Sequence, residues 1–301
     1  MGSEGVVLQQ LEFVSDFWLN LHHVLYAAAW DGRPSGRPVR RPAGALPEPL
    51  DGPLTQAERA DWELAVGYYD EHLADRHLLF GDGMRALNAA LVAGDLAGEV
   101  RAVLQSAAPV YRRHFWPGHD AANRQWVSEL MPRLSDLGPH IFTRLAGLYG
   151  ESWFTEPVRV DIVRVASREG AYTTAGPPHI TISSSDRDGQ GWVSVEVVLH
   201  ESSHIFGGGL RREFAHVLGS AAPHHPQLWH AVLFYLAGGV TREALAGKGI
   251  DYVPYLYATG LLERAWPSYR EPVESCWQPF LDGTINRGEA LARTVDVLRT
   301  R

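Results

Sequence analysis

The sequence predicts a predominantly helical α+β protein, and three observations carry that expectation. Apolar residues recur at helical spacing over most of the 301-residue chain. The one segment dense in β-branched residues, from Val158 to Ile182, is short and is bounded by Gly and Pro. A composition of 45% hydrophobic and 21% charged residues is enough to build a packed core and excludes whole-chain disorder.

Leu11, Val14, Trp18, Leu21, Leu25 and Ala28 fall near one stripe and predict a buried helix over residues 8–30. From Asp31 to Leu54, six prolines fix φ and remove backbone donors, so an extended surface loop is expected. Thr55-Gln56-Ala57-Glu58 has capping-box spacing and should start a helix running to about Phe80. Residues 83–149 read as helices broken at Gly94-Asp95, Pro117-Gly118 and Gly138-Pro139. Two or three strands follow, and helical periodicity returns after Gly189-Gln190-Gly191. The chain divides into a helical region, 1–150, and a second region, 151–301, read together as one compact unit.

Lys and Arg total 27 against 35 Asp and Glu, and the formal net charge of −8 gives no broad attraction to a phosphate backbone. Nucleic acid is therefore not expected as a partner. No stretch reaches the length of a membrane span. A single cysteine rules out an intramolecular disulfide and a Cys-rich zinc site. With an N-terminus lacking a basic and apolar leader, this composition reads as cytoplasmic.

The fourteen histidines include the one pattern with clear chemical meaning, His200-Glu201-Ser202-Ser203-His204, on an apolar helix expected from Val193 to Phe206. Residues four apart stack on one helical face, so His200 and His204 can converge on one Zn²⁺. Glu201 lies one position further round, placed to act as general base toward a metal-activated water. Glu196, one turn before His200, is read either as a carboxylate fixing that imidazole or as a solvated group. His22 and His23 point about 100° apart on a helix and make a poor ligand pair. Arg40-Arg41 and Arg211-Arg212 read as surface charges, either of which could meet an acidic group of a substrate.

At these residues the chain resembles the zincin metallopeptidases, over about residues 157–240 and with only the pentapeptide matched residue by residue. The resemblance implies a small sheet with an exposed edge strand packed on the HExxH helix, flanked by N-terminal and C-terminal helical parts. It assigns Pro178-His179-Ile180-Thr181-Ile182-Ser183 as the edge, with His179, Ile180 and Thr181 binding a peptide by strand addition; an ordinary edge blunted by Pro177 and Pro178 is the equal alternative. Gly207 fits the metzincin branch, but Leu210 stands where a third histidine is required. The gluzincin branch takes its third ligand from the next long helix, here Pro226 to Ala237, expected to stop at Gly238-Gly239. That helix contains no glutamate, so His230 is the expected third ligand, with His224, His225 and Glu243 as alternatives. An oxyanion donor is sought among Tyr252, Tyr255 and Tyr257, with Tyr255 first because Pro254 precedes it.

The expected function is a zinc-dependent hydrolase of amide or peptide bonds acting on a peptide or a small amide. The competing readings are an inactive scaffold that keeps the fold and a hydrolase of non-peptide amides. Retention of Glu201 favours turnover over a scaffold.

Overall fold

A computed structural model of the chain describes residues 10–31, 52–76, 82–152, 156–166, 170–174 and 177–299. In chain order its elements are β1 (Leu11–Val14), α1 (Phe17–Asp31), α2 (Gln56–His72), α3 (Asp82–Ala93), α4 (Gly98–His114), α5 (Trp116–Tyr149), β2 (Val158–Val163), β3 (Ala171–Thr174), β4 (His179–Ser183), α6 (Trp192–Phe206), α7 (Gly208–Leu218), α8 (Leu228–Ala246), α9 (Tyr255–Ala258), α10 (Leu261–Ala265), α11 (Arg270–Leu281) and α12 (Arg287–Arg299). The fold is predominantly helical α+β with one small mixed sheet. No described helix is long and apolar enough to cross a membrane. Residues 32–51, most of the expected Pro-rich loop, lie outside the described residues, and the helix begun by Thr55 ends at His72 rather than running to about Phe80.

The described chain forms two compact units that do not divide at residue 150. One comprises Leu11–Leu130 and Val158–Gln190; the other contains Met131–Pro157 and Gly191–Arg301. Sequence periodicity could not reveal the first boundary, because the cut after Leu130 falls inside α5, which is helical on both sides of it.

In the first unit the sheet order is β1-β2-β4-β3, with β1, β2 and β4 parallel and β3 antiparallel to β4. β1 corrects the single helix expected over 8–30: Leu11 pairs with Val158 and Val14 with Asp161, and the helix starts only at Phe17. A four-residue run has no resolvable period, so pairing with a strand about 150 residues away decides its state. The chain turns where Asp16 Oδ1 accepts the Leu19 amide at 2.8 Å. Asn20 Nδ2 and Asn123 Nδ2 both donate to the Ile162 carbonyl, at 3.2 and 3.0 Å, fastening α1 and α5 to the end of β2.

β4 is not an edge. β2 pairs with one side of it and β3 with the other, all five residues are buried, and Pro177 and Pro178 sit in the turn before it. His179, Ile180 and Thr181 therefore have their main-chain groups committed to the sheet and cannot take up a peptide by strand addition. The His179 imidazole is held in place too: its Nε2 lies 2.7 Å from Asp161 Oδ2, and Arg159 meets the same carboxylate through two bonds of 2.7 and 2.9 Å. The β1 and β3 strands occupy the sheet's edges.

The Thr55 capping box forms as expected, with Glu58 N donating to Thr55 Oγ1 and Thr55 N to Glu58 Oε2. Glu58 also accepts from His114 Nε2 at 2.9 Å, and chiefly this bond holds its carboxyl down to about 2. His22 and His23 are structural, as their spacing indicated: His22 Nδ1 lies 2.8 Å from Tyr69 Oη and His23 Nε2 lies 2.9 Å from Tyr172 Oη, all four residues buried. Burial lowers His22 to about 3 and His119, paired with Tyr111, to about 4.

The second unit centres on α8, which is buried on nearly every side, the mark of a helix that crosses a core rather than covering one. α11 and α12 pair beside it, with Trp277 fully buried and its Nε1 donating to Thr294 Oγ1 at 3.1 Å. The break expected at Pro117-Gly118 falls at the start of α5, which begins at Trp116 after α4 ends at His114, whereas α5 runs unbroken through Gly138-Pro139, where a second break was expected. Gly138 is enclosed by Leu134 and Phe142 from adjacent turns of its own helix.

The buried histidines set a pH dependence. Their folded pKa values lie below the ordinary 6.5, so on acidification the unfolded chain binds protons first. Stability is then complete above about pH 6.5 and falls by about 1.4 kcal/mol per pH unit for each such histidine as the pH drops toward 4. Urea midpoints measured from pH 7.5 to 5 should decline accordingly, and more shallowly in a His22→Gln variant; equal slopes would show that His22 is not held neutral.

Candidate metal centre

The α6 helix, expected from Val193 to Phe206, spans Trp192–Phe206 and places Glu196, His200 and His204 along one face. The two residues inside the pentapeptide need no outside partner. Ser202 Oγ donates to the Val198 carbonyl at 2.7 Å and Ser203 Oγ to the Leu199 carbonyl at 2.8 Å, so both buried hydroxyls are satisfied within the helix.

Opposite this face stands α8. It corrects the expected stop at Gly238-Gly239, since the helix continues through both to Ala246. The glycines serve close approach rather than termination. A Cβ on Gly238 would lie 2.6 Å from Pro254 Cβ and 2.9 Å from Glu196 Oε1, and one on Gly239 would lie 2.5 Å from Leu281 Cδ2. Any larger residue would push α8 off its neighbours.

Two turns before Gly238, His230 meets the α6 histidines. His200 Nε2 lies 3.2 Å from His230 Nε2 and 3.1 Å from His204 Nε2. Among the described residues, these three form the group whose ligand atoms could hold a metal ion, all within 4.8 Å of one another. Zn–N bonds of about 2.0–2.1 Å at tetrahedral angles set ligand nitrogens about 3.3 Å apart, close to the observed contacts. His230 Nδ1 lies 3.2 Å from Gln227 Oε1, which can only accept; Nδ1 therefore carries the proton and the Nε2 lone pair points into the cluster.

The donor set fits a cation on electrostatic grounds as well. Burial, reinforced by mutual repulsion, drives His200 and His230 well below the usual imidazole range, and burial takes His204 to about 4. All three are neutral at pH 7. A proton on His200 Nε2 can be donated to one neighbouring nitrogen only, leaving the other contact lone pair against lone pair. A cation at the centre would satisfy all three.

The alternatives lie elsewhere. The His225 ring packs against Tyr269 at 5.9 Å, His224 is exposed, and Glu243 Oε2 lies 4.0 Å from Arg144 Nε. Glu201 is buried on α6 immediately after His200.

Glu196 does not hold the His200 imidazole in the manner considered from the sequence. His200 Nδ1 is buried without a hydrogen-bond partner, whereas the Glu196 carboxylate accepts from Tyr252 Oη at 2.5 Å and from the Tyr255 amide at 3.0 Å. Burial raises Glu196 to about 7 against the lowering effect of these two donors. Tyr255 thus contributes its main chain to Glu196, while its ring stacks on Phe234 at 5.9 Å; Phe234 in turn stacks on His200 at 3.5 Å. Tyr257 Oη donates to Glu274, 3.1 Å away. None of these contacts turns a tyrosine hydroxyl on the histidine cluster, so the oxyanion role expected of Tyr255 gains no support. Tyr255 and Tyr257 lie on α9, and Tyr252 lies in the segment before it.

Sequence reasoning missed the aromatic walls. Trp229 stacks on His230 at 5.4 Å and meets His204 edge-on at 5.6 Å, and Trp266 meets His230 at 5.3 Å. Trp229 flanks His230 in the sequence and was expected to help bury it, though not to wall the cluster; Trp266 had no local signal. Compared with known proteins, the chain matches no family model, no curated sequence and no solved structure.

Gly238→Ala should destabilise the protein by about 1–3 kcal/mol through overpacking. Gly67→Ala, on an exposed face of α2 with open space around it, should instead stabilise by about 0.5–1 kcal/mol. Paired thermal melts check the contrast, and equal effects would remove the close-approach explanation.

Proposed function

We propose that the protein is a zinc-dependent hydrolase of amide bonds, most simply a peptidase, with His200, His204 and His230 as metal ligands and Glu201 as general base. The observation that carries the reading is the convergence of three neutral Nε2 atoms from two packed helices. Three imidazoles leave a fourth position open, which is the ligand set of a catalytic rather than a closed structural zinc site. When bound there, Zn²⁺ supplies Lewis acidity toward a carbonyl oxygen and acidifies water.

The chain's own residues supply the rest. The carboxylate of Glu201, next to His200 and removed from bulk water, takes up a proton during attack and returns it to the leaving amine. Trp229 and Trp266 exclude water from the flanks of His230 and offer an apolar bed for a substrate. A peptide or a small amide is the substrate class, with neither nucleic acid nor membrane as partner. The single cysteine suits a reducing compartment, and we place the protein in the cytoplasm.

Elemental analysis after dialysis should return about one zinc per chain, lost in the His200→Ala, His204→Ala double variant. His230→Ala should fold and bind zinc at least about tenfold more weakly, because three ligands become two. A preparation that fails to take up added zinc would remove the site. In a peptide-library assay, Glu201→Gln should keep metal and fold while turnover falls at least about a hundredfold. Undiminished cleavage by that variant would remove Glu201 from the mechanism.

A further inference from the structure

The α7 helix follows the metal-binding helix almost at once, and its second turn carries Arg211 over the Trp229 ring, with the guanidinium carbon 5.4 Å from the ring centroid. That ring is the wall already described against His204 and His230. Its own orientation is fixed, because Trp229 Nε1 donates to the Pro226 carbonyl at 3.0 Å. A cation resting on a held indole face is positioned without being neutralised.

No carboxylate of the described residues forms an ion pair with Arg211. Glu213, on the same helix, is committed to Arg287 at 2.7 Å. Arg211 is exposed, so its guanidinium fork is open to a ligand. An aromatic-walled histidine cluster with one unpaired guanidinium at its rim has a definite complement: a chain with an apolar body and an anionic end, since the fork of Arg matches a carboxylate through two parallel bonds.

The spacing limits how far that end lies from the reacting bond. One indole ring separates the guanidinium from the imidazoles, in two steps of 5.4 Å each by way of His230. An extended residue spans about 3.3–3.6 Å. Three residues therefore cover the distance.

Resting on the zinc-hydrolase reading above, we infer that Arg211 is a specificity residue that grips a substrate carboxylate, and that the preferred substrates are peptides or acylated amino acids whose free carboxylate lies within three residues of the cleaved amide. Internal sites in long chains, where no carboxylate falls at that spacing, are poor substrates.

The test uses the zinc-loaded Glu201→Gln chain, so that binding is read without turnover. Its tryptophan fluorescence is titrated with acetyl-Phe-Ala-Ala as free acid and as C-terminal amide. The acid should bind at least about tenfold more tightly, the scale of one charge-assisted contact. Adding Arg211→Gln should abolish the difference by weakening the acid alone, while adding Arg212→Gln should leave it intact. Zinc content is measured for every variant. A chain that holds no zinc overturns the reading of the centre itself. One that holds zinc yet binds acid and amide alike, binds neither, or keeps its preference without Arg211 overturns the Arg211 assignment alone.

Discussion

The closeness of α6 and α8 is the constraint on which the second unit depends. Two helices can bring Nε2 atoms from both within 3.2 Å only if their axes are held near each other, and Gly238 is where they are held. With no side chain there, α8 settles against the Glu196 carboxylate and Pro254, and two turns earlier His230 arrives beside His200. Glu196 is thus placed at the contact between α6, α8 and the segment leading into α9. Its acceptance of Tyr252 Oη and the Tyr255 amide fastens that segment down and completes the stack of Tyr255 on Phe234 on His200. A carboxylate that looked like a partner for the imidazole instead shapes the surroundings that keep the imidazole in place.

The electrostatics follow from the same packing. Removing three imidazoles from water disfavours their charged forms, and His204 and His230 raise the cost of protonating His200, as His204 does for His230. The cluster is thereby ready to donate lone pairs at neutral pH. In the first unit, burial lowers His22, His23 and His119 by the same means, but there one ring nitrogen of each meets a tyrosine hydroxyl. Their neighbours separate a structural histidine from a candidate ligand.

Much of the candidate site was legible because its signals are local. The i, i+4 spacing of His200 and His204 and the Thr55 capping box each lie within one helical turn, where geometry follows from sequence alone. His230 was reached by asking which ligand the next long helix could offer. What failed was non-local. The four residues Leu11–Val14 have no period of their own, and only their distant partner makes them a strand. β4 resembled an edge because nothing in His179–Ser183 announces that Ala171–Thr174 covers it. Gly238-Gly239 was read as a terminator from local propensity, while tertiary packing uses the pair as a groove; the near-complete burial of α8 was the clue.

The pairing of β1 with β2 also bears on how the chain is made. Leu11 to Val14 leave the ribosome early, but the strand that receives their hydrogen bonds begins at Val158. Its unit is interrupted by residues 131–157 and is complete only at Gln190, just before α6 is synthesised. For most of translation the first strand is an unpaired apolar segment awaiting a parallel neighbour, the type of long-range closure that slows folding and invites association between nascent chains. Demand for a chaperone during synthesis would therefore be set by Leu11–Val14 as much as by the helices that follow them.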